Sequence, residues 1–261
     1  MLLRDKTVVV SGVGAGLGQR VAQAVVRDGG NAVLGARTEA HLAKAADEID
    51  PAGTRVAWRA TDIKDAAQCE ALAALAEERF GGIDAVVHVA AMDGYFGGLA
   101  DADFETWKTV LDVNLLGTLR MTLACLPGLR GRGGGSVVFI GTQSAVAAPS
   151  QVRQAAYASS KGALTSAMYS LARELGPERI RVNTVLPGWM WGPPVQAFVG
   201  FTAHTEGVPE DEVLHRLADR MALPELATDG DVAEAAVFLA SDRARAITGQ
   251  SLLVNAGELM R

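Results

Sequence analysis

Short apolar runs alternate with alanine-rich stretches along the whole chain. Most runs are apolar throughout rather than at every second residue, which is typical of strands covered on both faces. They predict seven strands, at Thr7–Ser11, Asn31–Gly35, Thr54–Arg59, Ala85–Val89, Ser136–Ile140, Arg181–Leu186 and Ser251–Val254. Between them, helical patterns cover Gln19–Asp28, Glu39–Ile49, Asp65–Phe80, Phe104–Leu126, Ala155–Leu175 and Asp229–Ala240. The alternation predicts an α/β fold, a doubly wound parallel sheet of about seven strands with helices on both faces.

The regular alternation breaks once, over residues 188–224. This stretch carries Pro193, Pro194 and Pro209 and several scattered aromatic residues. We expect it to be irregular and to pass over a binding site, as long functional loops do. No proline-rich linker and no change of composition divides the chain, so residues 1–261 are predicted to form one domain, with this stretch binding the substrate.

The composition argues against several classes of partner. The net charge is −6 and no cluster of Lys and Arg is present, which disfavours a nucleic-acid partner. Cys69 and Cys125 lie far apart and have no neighbours at the spacing of metal ligands, which indicates a reducing compartment and no disulfide framework. The four histidines also lack the spacing of metal ligands. Charges begin at Arg4, too early for a secretion signal, and no apolar run approaches the roughly 18 to 20 residues of a membrane helix. We expect a cytoplasmic protein that binds no nucleic acid, membrane or metal.

A glycine-rich turn follows the first predicted strand and leads into a helix. Glycines let the backbone approach a pyrophosphate closely, and the helix that follows presents free N–H groups to that anion. A tight strand-to-helix turn without a ligand is the alternative. Because this is the first strand of an α/β chain, we predict a dinucleotide site, formed by Ser11, Gly12, Gly14, Ala15, Gly16, Leu17 and Gly18.

The end of the second predicted strand bears on the choice of dinucleotide. In such folds an acidic residue there binds the adenosine ribose hydroxyls of NAD(H) and repels the 2′-phosphate of NADP(H). Here Ala36 is followed by Arg37, whose guanidinium suits a phosphate. NADP(H) is therefore favoured, NAD(H) stays possible, and a solvated Arg37 without a ligand is the alternative.

Tyr157 and Lys161 are four residues apart, on one face of a predicted helix. A tyrosine ordinarily ionises near pH 10, and a neighbouring Lys⁺ favours the phenolate and lowers the pKa. Such a tyrosine can give a proton to a carbonyl oxygen or take one from an alcohol. An exposed helix pair without chemistry is the alternative.

These motifs together resemble the short-chain dehydrogenase/reductase family. The spacing Gly12-x3-Gly16-x-Gly18 is similar to the family's T-G-x3-G-x-G loop, with Ser11 in place of Thr, and Tyr157-x3-Lys161 is similar to its Y-x3-K. The resemblance covers essentially the whole chain and implies a Rossmann-type NAD(P)-dependent oxidoreductase. Such an enzyme moves a hydride between C4 of nicotinamide and a carbonyl or secondary alcohol carbon of a small molecule.

The resemblance also implies roles for individual residues. Asn114 is similar to the family's asparagine, which anchors a water in a proton relay, and Lys161 also holds the cofactor ribose. The family's serine, which stabilises the substrate oxygen, usually lies thirteen residues before the tyrosine, where Ser144 stands. Counting forward from the fifth strand points to Thr142 instead, and Ser144 is preferred.

Further ligand contacts rest on the same resemblance. Asp62 is similar to the aspartate that meets the adenine amino group, with a helix cap as an equal alternative. Trp189 and Trp191 are predicted to line an apolar substrate wall, with core packing as the alternative. The remaining predicted cofactor contacts are Ile63, Ala90, Ala91, Pro187, Gly188 and Met190.

Three departures from the family pattern stand out. The family's N-N-A-G after the fourth strand is His88-Val89-Ala90-Ala91 here, and we expect a structural role for His88. Gly192 stands where the family has a threonine that contacts the carboxamide. The family's final D-G-G is Asn255-Ala256-Gly257, a change predicted to be neutral to the chemistry.

The resemblance implies a homo-oligomer, a dimer or tetramer that pairs the helices containing Asn114 and Tyr157. An apolar stripe on the second of these helices fits such a surface but fits its own sheet equally; it consists of Leu164, Met168, Leu171 and Leu175. Two other functions stay open at this point. One is a redox-inactive relative that binds nucleotide as a regulator or scaffold, and the other is a lyase or epimerase without net redox.

Overall fold

The computed structural model describes residues 1–93, 97–148 and 152–261. Seven strands form one sheet in the order β3-β2-β1-β4-β5-β6-β7, and each neighbouring pair is parallel. The predicted doubly wound sheet is confirmed, and every predicted strand end lies within two residues of the observed one. The strands are β1 Thr7–Ser11, β2 Asn31–Ala36, β3 Val56–Ala60, β4 Ala85–His88, β5 Gly135–Ile140, β6 Ile180–Pro187 and β7 Ser251–Val254.

Helices connect the strands, and their ends follow local capping signals. Asp65 accepts hydrogen bonds from the backbone N–H groups of Ala67 and Gln68 and begins α3, and Gly81 ends it in the left-handed region at φ 75°. The helices are α1 Leu17–Arg27, α2 Glu39–Ile49, α3 Ala66–Phe80, α4 Phe104–Leu111, α5 Thr118–Gly131, α6 Ala155–Leu175, α7 Pro193–Glu206, α8 Glu210–Ala218 and α9 Asp229–Ala240.

The two faces of the sheet bury separate apolar layers. Helices α1, α2 and α9 cover one face, and α3, α5 and α6 cover the other. On α6, Leu164, Met168 and Leu175 are at most 1% exposed and pack in this second layer. The apolar stripe of α6 therefore faces its own sheet and does not mark an oligomer surface.

The long helix predicted over Phe104–Leu126 extends to Gly131 and contains a π-helical turn at Asp112–Gly117. The prediction that no apolar run reaches membrane length was wrong, because Phe104–Gly131 is long and apolar enough to cross a bilayer. Its side chains Met121 and Cys125 are fully buried against the sheet. The segment packs as a core helix of the α/β fold.

The prediction that residues 188–224 are irregular was also wrong, because they contain α7 and α8. The prolines mark helix starts rather than breaks. Pro193 and Pro194 occupy the first turn of α7, where a missing N–H costs no hydrogen bond, and Pro209 is the residue before α8. The two helices share a small apolar cluster of their own that includes Val199, Val213 and other residues.

Candidate active site

A cavity of about 840 Å³ opens at the carboxyl ends of the parallel strands. This is where ligands bind in doubly wound sheets, because the loops that follow the central strands diverge there. Residues after β1, β4, β5 and β6 line it, together with the first turns of α6 and α7. The cavity therefore joins the glycine loop to the predicted acid–base pair.

The glycine loop is shaped for close approach. Gly12 has φ +101°, and a Cβ there would lie 2.2 Å from the backbone nitrogen of Ala90. A Cβ on Gly18 would lie 2.2 Å from the carbonyl oxygen of Gly12, so the turn tolerates no side chain at either position. A Cβ on Gly14 would meet no atom within 4 Å beyond its chain neighbours, and α1 begins at Leu17. The loop thus leaves space in front of a helix N-terminus, which fits an anionic pyrophosphate.

Other predicted cofactor residues divide into those at the cavity and those behind it. Ala15, Gly16, Ala91, Pro187, Gly188 and Met190 line the cavity. Ser11 and Ala90 support the loop, since the backbone N–H of Ala90 donates to the carbonyl of Ser11. Ile63 is 7% exposed and packs in the core, behind Gly117 of the π-helical turn.

Two predicted contacts with the adenosine end lie outside the cavity lining. Arg37 directly follows β2 and is exposed. Asp62 is not the cap of α3; the cap is Asp65, and the Asp62 carboxylate accepts instead from the backbone N–H of Lys64 at 3.0 Å. The helix-cap alternative for Asp62 was therefore wrong, and the adenine contact stays a prediction.

Tyr157 and Lys161 meet in the cavity on successive turns of α6. Lys161 is 1% exposed, and its Nζ donates a 2.7 Å hydrogen bond to the carbonyl oxygen of Ile140, the last residue of β5. The same Nζ lies 5.9 Å from the centre of the Tyr157 ring. The end of β5 thus fixes the ammonium beside the phenol.

The expected effect of Lys161 on the pKa of Tyr157 needs correction. Burial raises the pKa of the Tyr157 phenol well above its ordinary value, the negative charge of Asp93 raises it further, and a hydrogen bond with Thr142 lowers it. Burial lowers the pKa of Lys161 to about 8, against the opposing effect of Asp93. Desolvation is the largest cause of the shift, so Tyr157 holds its proton at neutral pH.

Thr142 and Ser144 both line the cavity, but they stand differently toward Tyr157. Hydrogen bonding by the Thr142 side chain lowers the pKa of the Tyr157 phenol, which makes the two hydroxyls neighbours. The backbone N–H of Ser144 donates to Oγ1 of Thr142 at 3.2 Å. Thr142, which follows Gly141 at the end of β5, is therefore the residue whose hydroxyl lies beside the phenol.

Asn114 lies in the π-helical turn, is fully buried and does not line the cavity. Its Nδ2 donates to the carbonyl of Met92 at 2.9 Å and to Oγ of Ser160 at 3.0 Å, and its Oδ1 accepts from the N–H of Met92 at 2.7 Å. The amide therefore ties the segment after β4 to α6. The relay water remains a prediction, with one lone pair on Oδ1 left for it.

Comparison with known proteins agrees with this geometry. The family described as Enoyl-(Acyl carrier protein) reductase matches residues 12–258. A short-chain reductase protein of Streptomyces niveus, NovJ, is 32% identical over 254 residues, covering 97% of this chain and 94% of the relative. The chain belongs to the short-chain dehydrogenase/reductase family. It is an NAD(P)-dependent oxidoreductase, as the resemblance implied.

Other members of the short-chain dehydrogenase/reductase family are equally similar. The L-rhamnose 1-dehydrogenase (NAD(P)(+)) of Azotobacter vinelandii is 33% identical over 262 residues, covering 98% of each chain. The structure of L-sorbose reductase from Gluconobacter frateurii, complexed with NADPH and L-sorbose, superposes with a TM-score of 0.92. It is 27% identical and covers 100% of this chain and 99% of its own.

His88, which replaces the family's asparagine, is a buried neutral residue. The Thr122 hydroxyl donates to the carbonyl of Thr118 at 2.9 Å, so at 3.0 Å it accepts from Nε2–H of His88. Nδ1 of His88 is buried and has no hydrogen-bond partner in the described part of the chain. Burial lowers the His88 pKa to about 3, with a further decrease from the Lys161 charge. Such an imidazole is a packing residue beneath the short-chain dehydrogenase/reductase site.

The two tryptophans that follow Gly188 separate. Trp189 lines the cavity, with its ring centre 5.0 Å from that of Phe198. Trp191 is outside the lining, donates its backbone N–H to the carbonyl of Ala227 and packs on the α7–α8 cluster. The substrate-wall prediction for Trp191 was wrong, because the start of α7 turns it toward that cluster.

Five polar residues of the cavity lining were not among the predicted site residues. They are Asp93, Gln143, Gln154, Arg220 and Glu258. Asp93 and Gln143 stand within two residues of predicted site positions, so proximity was a usable signal. Arg220 and Glu258 lie 38 residues apart and form an ion pair that only the fold brings together.

Proposed function

We propose that the protein is an NADP(H)-dependent oxidoreductase that interconverts a ketone and a secondary alcohol. The cavity that brings Thr142 and Tyr157 together, with Lys161 beside the phenol and the glycine loop in the same lining, carries the proposal. When bound, the dihydronicotinamide would supply the hydride, and with it both electrons, to the carbonyl carbon. The glycine loop and the first turn of α1 would hold the pyrophosphate, and Lys161 would hold the ribose.

The side chains of this site supply the proton. Tyr157 donates its phenol proton to the substrate oxygen as the hydride arrives, which gives a neutral alcohol and a phenolate. Lys161 stabilises that phenolate through its positive charge. Because burial raises the pKa of Tyr157, the phenol is protonated at neutral pH and carries the proton that ketone reduction needs.

We further propose Thr142, rather than Ser144, as the hydroxyl that donates to the substrate oxygen. A substrate oxygen that accepts from the phenol must also lie next to the hydroxyl with which the phenol is paired. Thr142 is that hydroxyl, whereas the contact described above for Ser144 uses its backbone N–H. Asn114 acts as a positioning residue through Met92 and Ser160.

The preference for NADP(H) rests on Arg37. Its guanidinium directly follows β2, is exposed and has no hydrogen bond or ion pair within the described residues. Such a group is free to form a bidentate contact with the 2′-phosphate of the cofactor.

An absorbance assay tests the function. The protein is mixed with NADPH or NADH and a panel of ketones, and with NADP⁺ or NAD⁺ and a panel of secondary alcohols, while the absorbance at 340 nm is followed. We expect consumption of NADPH with at least one ketone, at a higher kcat/KM than with NADH. Product formed without a net change at 340 nm would instead identify a lyase or epimerase, and cofactor binding without any product would identify a regulator or scaffold.

The homo-oligomer stays a proposal. Exposed apolar side chains are available for it on α5 and α6, where Leu123 is 67% and Tyr169 is 53% exposed. Sedimentation equilibrium distinguishes a monomer from a dimer or tetramer.

A further inference from the structure

A second polar group stands on the cavity wall, away from the acid–base pair. Arg220 follows α8, and Glu258 follows β7 near the end of the chain. Both line the cavity, and Nη2 of Arg220 donates to Oε1 of Glu258. The Glu258 side chain is only 6% exposed, so the carboxylate depends on its protein partners.

The carboxylate of Glu258 is held on both oxygens. Nε2 of Gln143 donates to Oε2 of Glu258 at 2.9 Å, and Nδ2 of Asn255 donates to Oε1 of Gln143 at 2.5 Å. Gln143 directly follows Thr142. A chain of hydrogen bonds therefore fixes Glu258 relative to the hydroxyl that meets Tyr157.

The guanidinium of Arg220 makes fewer hydrogen bonds than the Glu258 carboxylate with which it pairs. Its Nη1 is shielded from solvent and has no hydrogen-bond partner in the described part of the chain. The Arg220 side chain is 29% exposed, and its Cζ lies 6.0 Å from the ring centre of Trp189. An unpaired, shielded N–H is unfavourable, so a ligand oxygen that accepted from Nη1 would remove this cost.

The charges of the cavity decide which kind of oxygen suits this group. Among the described residues, the charged side chains that line the cavity are Asp93, Lys161, Arg220 and Glu258, two acids and two bases. Glu258 already balances the charge of Arg220. A substrate carboxylate would lie beside Glu258 and lose by repulsion what it gains from Arg220, whereas a neutral hydroxyl or carbonyl oxygen has no such cost.

We propose that Arg220 is a specificity-determining residue that donates a hydrogen bond to an uncharged oxygen of the substrate, remote from the reacting carbon. The substrate is then a neutral ketone or alcohol with a second oxygen, whose apolar middle lies along Trp189 and Phe198. This inference rests on the proposed ketone–alcohol chemistry and adds the class of substrate to it.

Matched substrates and variants test the inference. The substrates are methyl ketones of four to eight carbons, the same ketones with a terminal hydroxyl, and the same ketones with a terminal carboxylate. The variant is Arg220→Met combined with Glu258→Gln, because the single Arg220→Met change would leave a buried carboxylate unpaired. Arg216→Met is the control, since Arg216 is an exposed residue of α8 paired with Glu206.

We expect the wild type to favour one of the hydroxy ketones over the plain ketone by about 10- to 100-fold in kcat/KM, as for a hydrogen bond to a charged donor. In the double variant this ratio should fall to near one, because the hydroxy ketone loses a contact that the plain ketone never makes. Arg216→Met should keep the wild-type ratio. An equal fall for both ketones would show a structural role, and a preference for the keto acid would show an anion site; either overturns the inference.

Calorimetric titration of the NADP⁺ complex with the diol that corresponds to each hydroxy ketone separates this inference from the proposed function. If no ketone is reduced but the diol binds the wild type about tenfold more tightly than the double variant, the proposed function fails and the oxygen-binding role of Arg220 stands. If ketones are reduced and the diol binds both proteins equally, the proposed function stands and the inference fails.

Discussion

The hydroxyl of Thr142 neighbours the phenol of Tyr157 and lowers its pKa, and the backbone N–H of Ser144 donates to the same hydroxyl oxygen at 3.2 Å. This relationship gives the two hydroxyl residues different positions in one short segment. Thr142 neighbours the phenol, whereas Ser144 lines the same cavity and contacts Thr142 through its backbone N–H.

Thr142→Ala should therefore lower kcat for ketone reduction by about 100- to 1000-fold, the usual effect of removing one donor to a developing oxyanion. Thr142→Ser keeps the hydroxyl and should retain most of the activity. Ser144→Ala is the matched control and should change kcat by no more than a few fold. The measurement is the initial rate at saturating NADPH and ketone, and a Ser144→Ala defect as large as that of Thr142→Ala would contradict the assignment.

The rate of reduction should depend on the charge of Lys161. Because burial lowers the pKa of Lys161 to about 8, the ammonium is present below this pH and is lost above it. The Tyr157 phenol stays protonated across this range, since its pKa is raised. We expect kcat to fall as the pH rises through about 8, in a profile measured between pH 6 and 10 at saturating NADPH and ketone.

Removing the Asp93 carboxylate should move this profile. Asp93 raises the pKa of Lys161, so Asp93→Asn lowers that pKa and should shift the fall of kcat to lower pH. Glu105→Gln is the control, because Glu105 is an exposed residue paired with Lys108 outside the cavity. A profile that is unchanged in Asp93→Asn would rule out Lys161 as the group that titrates.

His88 should make the protein sensitive to acid. Its pKa is about 3 when folded, against 6.5 as the ordinary value. Between these values the unfolded chain binds a proton that the folded protein does not. The contribution of His88 to the free energy of unfolding is therefore fully present above pH 6.5 and decreases as the pH falls. At pH 5 the loss is about 2 kcal/mol, from 1.5 pH units at about 1.36 kcal/mol each.

His88→Asn restores the family's residue and should remove this part of the acid sensitivity. The measurement is the difference in the free energy of unfolding between pH 7.5 and pH 5, from urea denaturation of each variant. His215→Asn, at an exposed position on α8, should leave the difference unchanged. Equal acid sensitivity in the wild type and His88→Asn would show that another group titrates.

Ala256 has φ 52°, in the left-handed region that disfavours a side chain. Its carbonyl accepts from the backbone N–H groups of Ala222 and Leu223 at 2.9 and 3.0 Å, which holds the conformation in place. Ala256→Gly should therefore raise the free energy of unfolding by ~0.5–1 kcal/mol. Ala40→Gly, an exposed site in α2, should lower it by a similar amount. Destabilisation by Ala256→Gly in the same denaturation assay would contradict the strain at this position.

Arg37→Glu should exchange the cofactor preference. The carboxylate would repel the 2′-phosphate and accept from the ribose hydroxyls, so the Kd for NADPH should rise at least about tenfold while that for NADH falls or stays constant. Quenching of tryptophan fluorescence measures both constants. Tighter binding of NADH than of NADPH by the wild type would overturn the role of Arg37.

Local sequence alone determined where along the chain each strand lies, to within two residues. A continuous apolar run is typical of a strand that is covered on both faces. Local sequence also determined the glycine loop and the spacing of Tyr157 and Lys161, since both motifs lie within one turn or one helix. For the same reason, the bounds predicted for α2, α6 and α9 match the structure.

The tertiary structure decided the features that depend on residues far apart in the sequence. Our proposal of Thr142 over Ser144 depends on where β5 brings the chain beside α6, and the pKa of Tyr157 depends on burial rather than on the spacing to Lys161. The prolines of residues 188–224 start helices because α7 and α8 can bury a cluster of their own. Arg220 and Glu258 carry no local pattern, since a buried ion pair is defined only by the meeting of two segments in space.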